Sequence, residues 1–253
     1  MAAPAKVLST FELLELILLQ LDTQTLLTAQ RTCRTWHSII QESVAIQKAL
    51  FFIPIQPSSA STKVQNPLLA KLFPGFFTSD TSFLASMDML QRPEKLEAYI
   101  RPEASWRRML VQQPPIPRIG FLVSCFAFTE SYTYHEIPTR PDGLRMEEYF
   151  EMFIFGHHVI SLEYYVPEII WWGDTYSSGW IKMKESRGMT VETDIVISIF
   201  GGATCTDFEG DGFTEDAVLC SRIQDVYRKL NLQPCAPSAE KKLNEWSYSH
   251  WYD

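Results

Sequence analysis

The chain has 253 residues, 46% of them apolar and 13% aromatic, with a formal net charge of −8. Its length gives one or two domains with room for a sizeable core, and its apolar content excludes a mainly disordered chain. The charge is unevenly placed. In residues 1–50, Lys6, Arg31, Arg34 and Lys48 cancel Glu12, Glu15, Asp22 and Glu42, so the whole excess lies in 51–253. An acidic body speaks against nucleic acid as the main ligand, because phosphate recognition needs a positive footprint. The cysteines Cys33, Cys125, Cys205, Cys220 and Cys235 are odd in number and lack C-x-x-C spacing. Free thiols in a reducing compartment, cytoplasmic or nuclear, are the expectation.

The first element is a helix over the apolar run Leu13 to Leu21, with Ser9 or Thr10 able to cap it and Ser9 and Glu12 at capping-box spacing. At 100° per residue, Leu13, Leu14, Ile17, Leu18 and Leu21 share an arc of roughly 140°, the width of a core-facing stripe. Leu16 and Leu19 fall outside it, on a second strip beside Glu12 and Glu15. An amphipathic surface helix has no use for that second strip; a helix gripped from two sides does. Asp22-Thr23 then reads as the stop of this helix and the cap of a second, running to about Thr32, and a third around Arg34 to Ile40 presents Trp36, Ile39 and Ile40. Glu12, Glu15 and Gln20 interrupt the run, no cleavage site follows, and it is too short for a membrane span. Covering each surplus Leu would stabilise a complex by ~1.5–3 kcal/mol before association costs. A partner protein is therefore expected.

Glu12, Leu13-Leu14, Ile17-Leu18, Leu21, Leu26-Leu27, Cys33, Arg34 and Trp36 stand in an order and spacing that resemble the F-box, most closely its fungal form. Two positions depart from the family pattern: the leading proline is replaced by Thr10 or Phe11, and Thr32 stands where an aliphatic residue is usual. The resemblance implies docking on a Skp-type adaptor and, through it, on a cullin-based ubiquitin ligase. It also implies that the adaptor-facing and supporting apolar residues are Phe11, Leu14, Ile17, Leu18, Leu21, Leu26, Leu27 and Trp36. Cys33 and Arg34 would set the end of the second helix and the turn. The chain itself would be no enzyme, and would bring an unknown protein substrate close to the ligase's other subunits. The alternatives are an adaptor-binding scaffold without a ligase role, or a small-molecule-binding α+β protein.

The expected organisation is an F-box-like helical domain over 5–53, a linker or long loop over 54–67 and a body over 68–253. The fold class is α+β: a small all-α three-helix piece, then a mixed body with a modest sheet. Helix continues from Ser43 to Phe52, and Pro54 to Pro67 reads as linker. Asn66 caps a turn of helix that Pro74-Gly75 ends, and Glu103 to Val111 forms a short helix with Trp106, Met109 and Leu110 on one side. Ile119 to Phe128 and Thr190 to Gly202 read as buried strands, and Gly143 to Gly156 and Thr214 to Leu230 as helices. His157 to Gly173 leans to strand.

No catalytic constellation emerges. Asp207 to Gly212 imitates the first half of a calcium loop, but Val218 stands where the closing carboxylate belongs. His157 and His158 would face opposite sides of a strand, and only His135 or Glu163 could join one of them. No metal and no cofactor is expected. The aromatic clusters Trp171, Trp172, Tyr176, Trp180 and Trp246, Tyr248, Trp251, Tyr252 are the remaining candidates. Trp and Tyr offer large rigid surfaces with a polar edge, as binding hot spots do. Trp171, Trp172, Tyr176, Trp180, Trp246 and Trp251 are therefore the candidate substrate-binding residues, against the competing reading that they close the core.

Overall fold

The computed structural model describes residues 10–57, 62–78, 84–126, 130–155, 167–171, 193–201 and 215–235. The chain opens with four helices: α1 (Phe11–Leu18), α2 (Thr23–Ala29), α3 (Arg34–Glu42) and α4 (Val44–Ala49). The first helix closes at Leu19, and Asp22 caps the next, its Oδ1 accepting the N–H groups of Gln24 and Thr25 at 3.0 Å. The expected helix from Ser43 onward is α4, separated from α3 by extended backbone at Ser43, whose hydroxyl accepts the Ile46 N–H. The four helices close on a small core of Leu14, Leu18, Leu26, Ala29, Ile39, Ile40, Ile46 and Leu50.

The segment expected as linker is held at several points. Ile53 and Ile55 are hydrogen-bonded to Gln113, and β1 (Val64–Gln65) pairs antiparallel with β2 (Gln112–Gln113). Asn66 caps α5 (Pro67–Leu72) with two hydrogen bonds to Oδ1, and Pro67 at the first helical position needs no donor. A 3-10 turn at Pro74–Phe76 ends it. Residues 84–108 carry the short helices α6 (Asp88–Gln91), α7 (Leu96–Ile100) and α8 (Ser105–Arg108). The expected helix over Glu103 to Val111 is only Ser105–Arg108; Met109 is extended beyond it, and Trp106, Met109 and Leu110 are all buried.

The main sheet contains β3 (Arg118–Phe126), β4 (Glu130–Pro138), β5 (Glu168–Trp171) and β6 (Ile195–Gly201) in the order β4-β3-β6-β5. β3 and β6 run parallel, with Gly120 opposite Val196, and the outer strands are antiparallel to them. Ile119, Phe121, Ile169, Trp171, Ile195 and Ile197 face the main core, while Leu122, Ile170 and Val196 are buried on the other face. Burial on both faces is what a nearly continuous apolar run produces. β4 has no such run, and the sequence reading does not include it, nor the two-residue β1 and β2.

α9 (Met146–Phe155) and α10 (Glu215–Lys229) complete the described body. α9 is buried almost all round, and its Tyr149, Phe150 and Phe153 join Phe73, Phe76 and Trp106 in one aromatic core. Gly143 precedes it at φ +100°, where a Cβ would lie 2.3 Å from Pro115 Cβ, so only glycine fits that turn. N-terminal helices followed by mixed helices and small sheets make this an α+β chain.

Candidate functional site

The two sides of α1 differ sharply. Leu14 and Leu18 are fully buried against Ile39, Ile40 and Ile46, while Leu13, Leu16 and Ile17 are 43, 58 and 43% exposed. The expected core stripe was centred too close to Leu13 and Ile17. Apolar residues cover more than half of this helix's circumference, so its sequence alone does not fix which part turns inward. Packing against α3 and α4 decides that, and it turns the Leu14–Leu18 edge inward. Glu15 helps to fix the rotation, its carboxylate accepting the Ser43 hydroxyl hydrogen at the corner between α3 and α4.

The structure divides the residues expected to form the adaptor-facing and supporting surface. Phe11 and Ile17 are exposed, whereas Leu14, Leu18 and Leu26 are interior and support the helices from within. Leu21, Leu27 and Trp36 are half-buried against the small core, and Leu27 touches the body's core as well. Cys33 and Arg34 are exposed and stand at the start of α3, not at the end of α2, which stops at Ala29. Leu13 and Leu16 are exposed as well, although the resemblance does not place them on the adaptor-facing surface. Leu16 was readable as surplus, whereas Leu13 needed the helix's rotation to be known. Asp22, hydrogen-bonded by the Thr25 side chain and by the Thr25 and Gln24 backbone, has its carboxyl held below the ordinary carboxylate value.

Of the aromatic candidates, only Trp171 lies among the described residues, and it is no surface residue. It is 1% exposed, stacks on Phe77 at 5.3 Å and donates its indole N–H to the Phe76 carbonyl at 2.9 Å. Its position on an inward-facing strand edge makes it core. Trp172, Tyr176, Trp180, Trp246 and Trp251 lie outside the described residues, as do His157, His158, Glu163 and the Asp207–Gly212 turn.

A charged cluster that the sequence reading did not find lies between α8, α9 and α10. Arg107, 4% exposed, donates to Glu147 at 2.7 Å, to Glu151 at 2.6 Å, to the Tyr227 hydroxyl at 3.0 Å and to the Ile100 carbonyl at 3.2 Å. Tyr227 donates to Glu151 at 2.8 Å, and the Cys235 N–H binds the other Glu151 oxygen. Burial pushes the Glu151 carboxyl upward against the opposing effects of Tyr227, the Cys235 N–H and Arg107. Burial and the Glu151 carboxylate also push the Tyr227 phenol up. Burial alone would lower the Arg107 value, but Tyr227, Glu147 and Glu151 reverse that and hold it fully charged.

Glu147, Glu151 and Cys235 bring two carboxylate oxygens and a thiol within 4.8 Å of one another. A cation there would have to displace Arg107 from both carboxylates, and a buried guanidinium already neutralises them. The cluster ties three helices together, and its donor set is spent on that task. Cys33, Cys220 and Cys235 are free thiols, and among the described residues no helix is long and apolar enough to cross a membrane.

Residues 11–52 match the model of the F-box-like family. No curated protein and no solved structure matched the chain significantly. The matched span begins with the first residue of α1 and ends just past α4, so it encloses the small four-helix core and its exposed Leu13, Leu16 and Ile17. The chain thus carries an N-terminal F-box-like domain at residues 11–52.

Proposed function

We propose that this chain is an F-box substrate receptor, docking on a Skp-type adaptor through the outer side of α1 and recruiting a protein through its body. F-box domains in general bind such adaptors, and the proteins that carry them are generally non-enzymatic. One observation carries the reading. α1 already fills its own core with Leu14 and Leu18, yet it leaves Leu13, Leu16 and Ile17 open to water. Burial of each of those three against a partner would contribute ~1.5–3 kcal/mol before the cost of association. The link to a cullin ligase and the delivery of a protein for ubiquitin transfer belong to the same proposal. So does a cytoplasmic or nuclear place of work.

The test is co-purification with a Skp-type adaptor. Leu16→Glu with Ile17→Glu should abolish recovery of the adaptor while leaving the fold intact, since both side chains are solvated. Undiminished recovery refutes docking through this face. Charging Leu18 instead would not be informative, because it would disrupt the domain's interior. Ubiquitin-ligase function is read separately, from the lifetime of co-purifying proteins when the chain is removed; lifetimes that do not change oppose a receptor role.

A further inference from the structure

We propose that Gln113 and Arg145 are positioning residues that hold the F-box-like domain in one fixed orientation on the body. The inference rests on the docking reading for its purpose, but its geometry stands independently. Gln113 is 4% exposed and grips the chain leaving the helices from both of its amide atoms. Its Nε2 donates to the Ile53 carbonyl and its Oε1 accepts the Ile55 N–H, both at 2.8 Å. These bonds reproduce, with one side chain, the pair that a neighbouring strand would make. The backbone around Gln113 is itself fixed, because it forms β2 against Val64–Gln65.

Arg145 holds the same exit one residue earlier. Both terminal nitrogens of its guanidinium donate to the Phe52 carbonyl at 3.4 Å, and it also bonds the Arg108 carbonyl and the Asp142 carboxylate. The Leu110 N–H donates to the Phe51 carbonyl at 2.8 Å, and the Arg108 guanidinium lies 4.8 Å from the centre of the Phe52 ring. Phe51 is buried with the body's core, and Leu27 and Phe52 pack against both cores. On the far side, the Lys71 ammonium of α5 reaches Gln24 of α2 at 3.0 Å.

Relative motion is the ordinary expectation for two units joined by a short segment. Here the connecting backbone at Phe51, Phe52, Ile53 and Ile55 is bonded to the body residue by residue, and the two apolar cores share side chains. A swivel would strip several of these hydrogen-bonding groups of their partners at once. The consequence for a receptor is that a protein bound on the body is presented at a set distance and angle from the adaptor.

The experiment uses the full chain with spin labels on non-canonical side chains at the exposed Thr35 and Arg222, and electron-electron double resonance as the readout. The wild type should give one narrow distance distribution. Gln113→Ala with Arg145→Ala should broaden it by roughly twofold, while adaptor recovery, which depends on the other side of α1, stays unchanged. A broad wild-type distribution overturns the proposal, and so does a double variant as narrow as the wild type. Should the double variant not fold, Gln113→Met keeps the volume and removes the two bonds to Ile53 and Ile55. It should broaden the distribution by less, and its failure to do so counts equally against the proposal. Because the distances are measured without adaptor, a failure of the docking reading shows up separately, in the co-purification alone.

Discussion

Ile17 and Leu18 are neighbours in sequence and opposites in environment: Ile17 is 43% exposed, while Leu18 is completely enclosed by its own domain. Stability and partner binding can therefore be separated along a single helix. Leu18→Ala should lower the unfolding free energy by about 2–5 kcal/mol through lost packing and a residual cavity. Leu16→Ala should change it by less than ~0.5 kcal/mol. Urea denaturation of the two variants checks this, and equal losses would mean that the assignment of sides is wrong.

The buried cation between the helices offers a second prediction. Arg107→Met leaves Glu147 and Glu151 without the group that neutralises them, and should cost about 3–5 kcal/mol in stability. Arg107→Lys retains a charge but loses the fork that reaches Glu147, Glu151 and Tyr227 together, so it should fall between wild type and Arg107→Met. Thermal melts of the three proteins give the ranking.

Glu148 supplies a pH dependence. Its side chain is mostly buried, its Oε2 lies 3.7 Å from Arg140 Nε, and burial outweighs that attraction to raise its carboxyl above the ordinary value. A raised folded-state value means that the folded form takes up the proton more readily than the unfolded one. The contribution is fully present below the unfolded value and is lost as pH rises through the folded one. At neutral pH the ionised side chain is therefore a liability, and Glu148→Gln should raise Tm by about 2–4 °C. The gain should vanish as pH falls through the ordinary carboxylate range. A gain that does not depend on pH would exclude titration as its cause.

The cap at Asn66 makes the fourth prediction. Its Oδ1 accepts from Leu68 and Leu69, and its Nδ2 donates to the Leu110 carbonyl at 3.1 Å, with the residue wholly buried. Asn66→Ala removes all three bonds and should cost about 1–3 kcal/mol. Asn66→Asp keeps the two acceptor bonds, removes the donor and buries a charge facing a carbonyl. Its penalty should therefore be larger at pH 7 than at pH 4, where the Asn66→Ala penalty barely changes. Denaturation at both values separates them.

Much of this architecture was legible because the local signals are strong. Asp22 and Asn66 announce helix starts with side chains that can do little else before such sequences, and the apolar runs beginning at Ile119 and Ile195 read as strands whose Ile119, Phe121, Leu122, Ile195, Val196 and Ile197 are buried. β4 was not legible, since Ser131, Thr133 and His135 alternate with Tyr132, Tyr134 and Glu136 and no apolar run marks it. The helices α6 and α7 between Asp88 and Ile100 have four or five residues each, too few to display a period, and α8 is shorter than the Glu103–Val111 helix expected there. The side of α1 that turns inward was hidden because the helix is apolar around most of its circumference. The Arg107 cluster was hidden for a different reason: its members are distant in sequence and meet only once α8, α9 and α10 have packed. Trp171 shows the converse hazard, since a tryptophan in a turn-rich stretch reads as surface until its indole N–H is found on a buried carbonyl.

The parallel pairing of Gly120 with Val196 joins residues far apart in the chain, and we expect it to form late in folding. Those partners meet only after β4, α9 and β5 have intervened, whereas the four opening helices touch mainly their near neighbours. Closing long loops delays folding more than local contacts do. We expect the opening helices to form before β6 joins the β3–β4 pair. During that interval Leu13, Leu16 and Ile17 stand on a finished surface attached to an unfinished chain, open to capture by whatever is nearby. We expect co-expression with a Skp-type adaptor to decide how much of the newly made protein escapes aggregation.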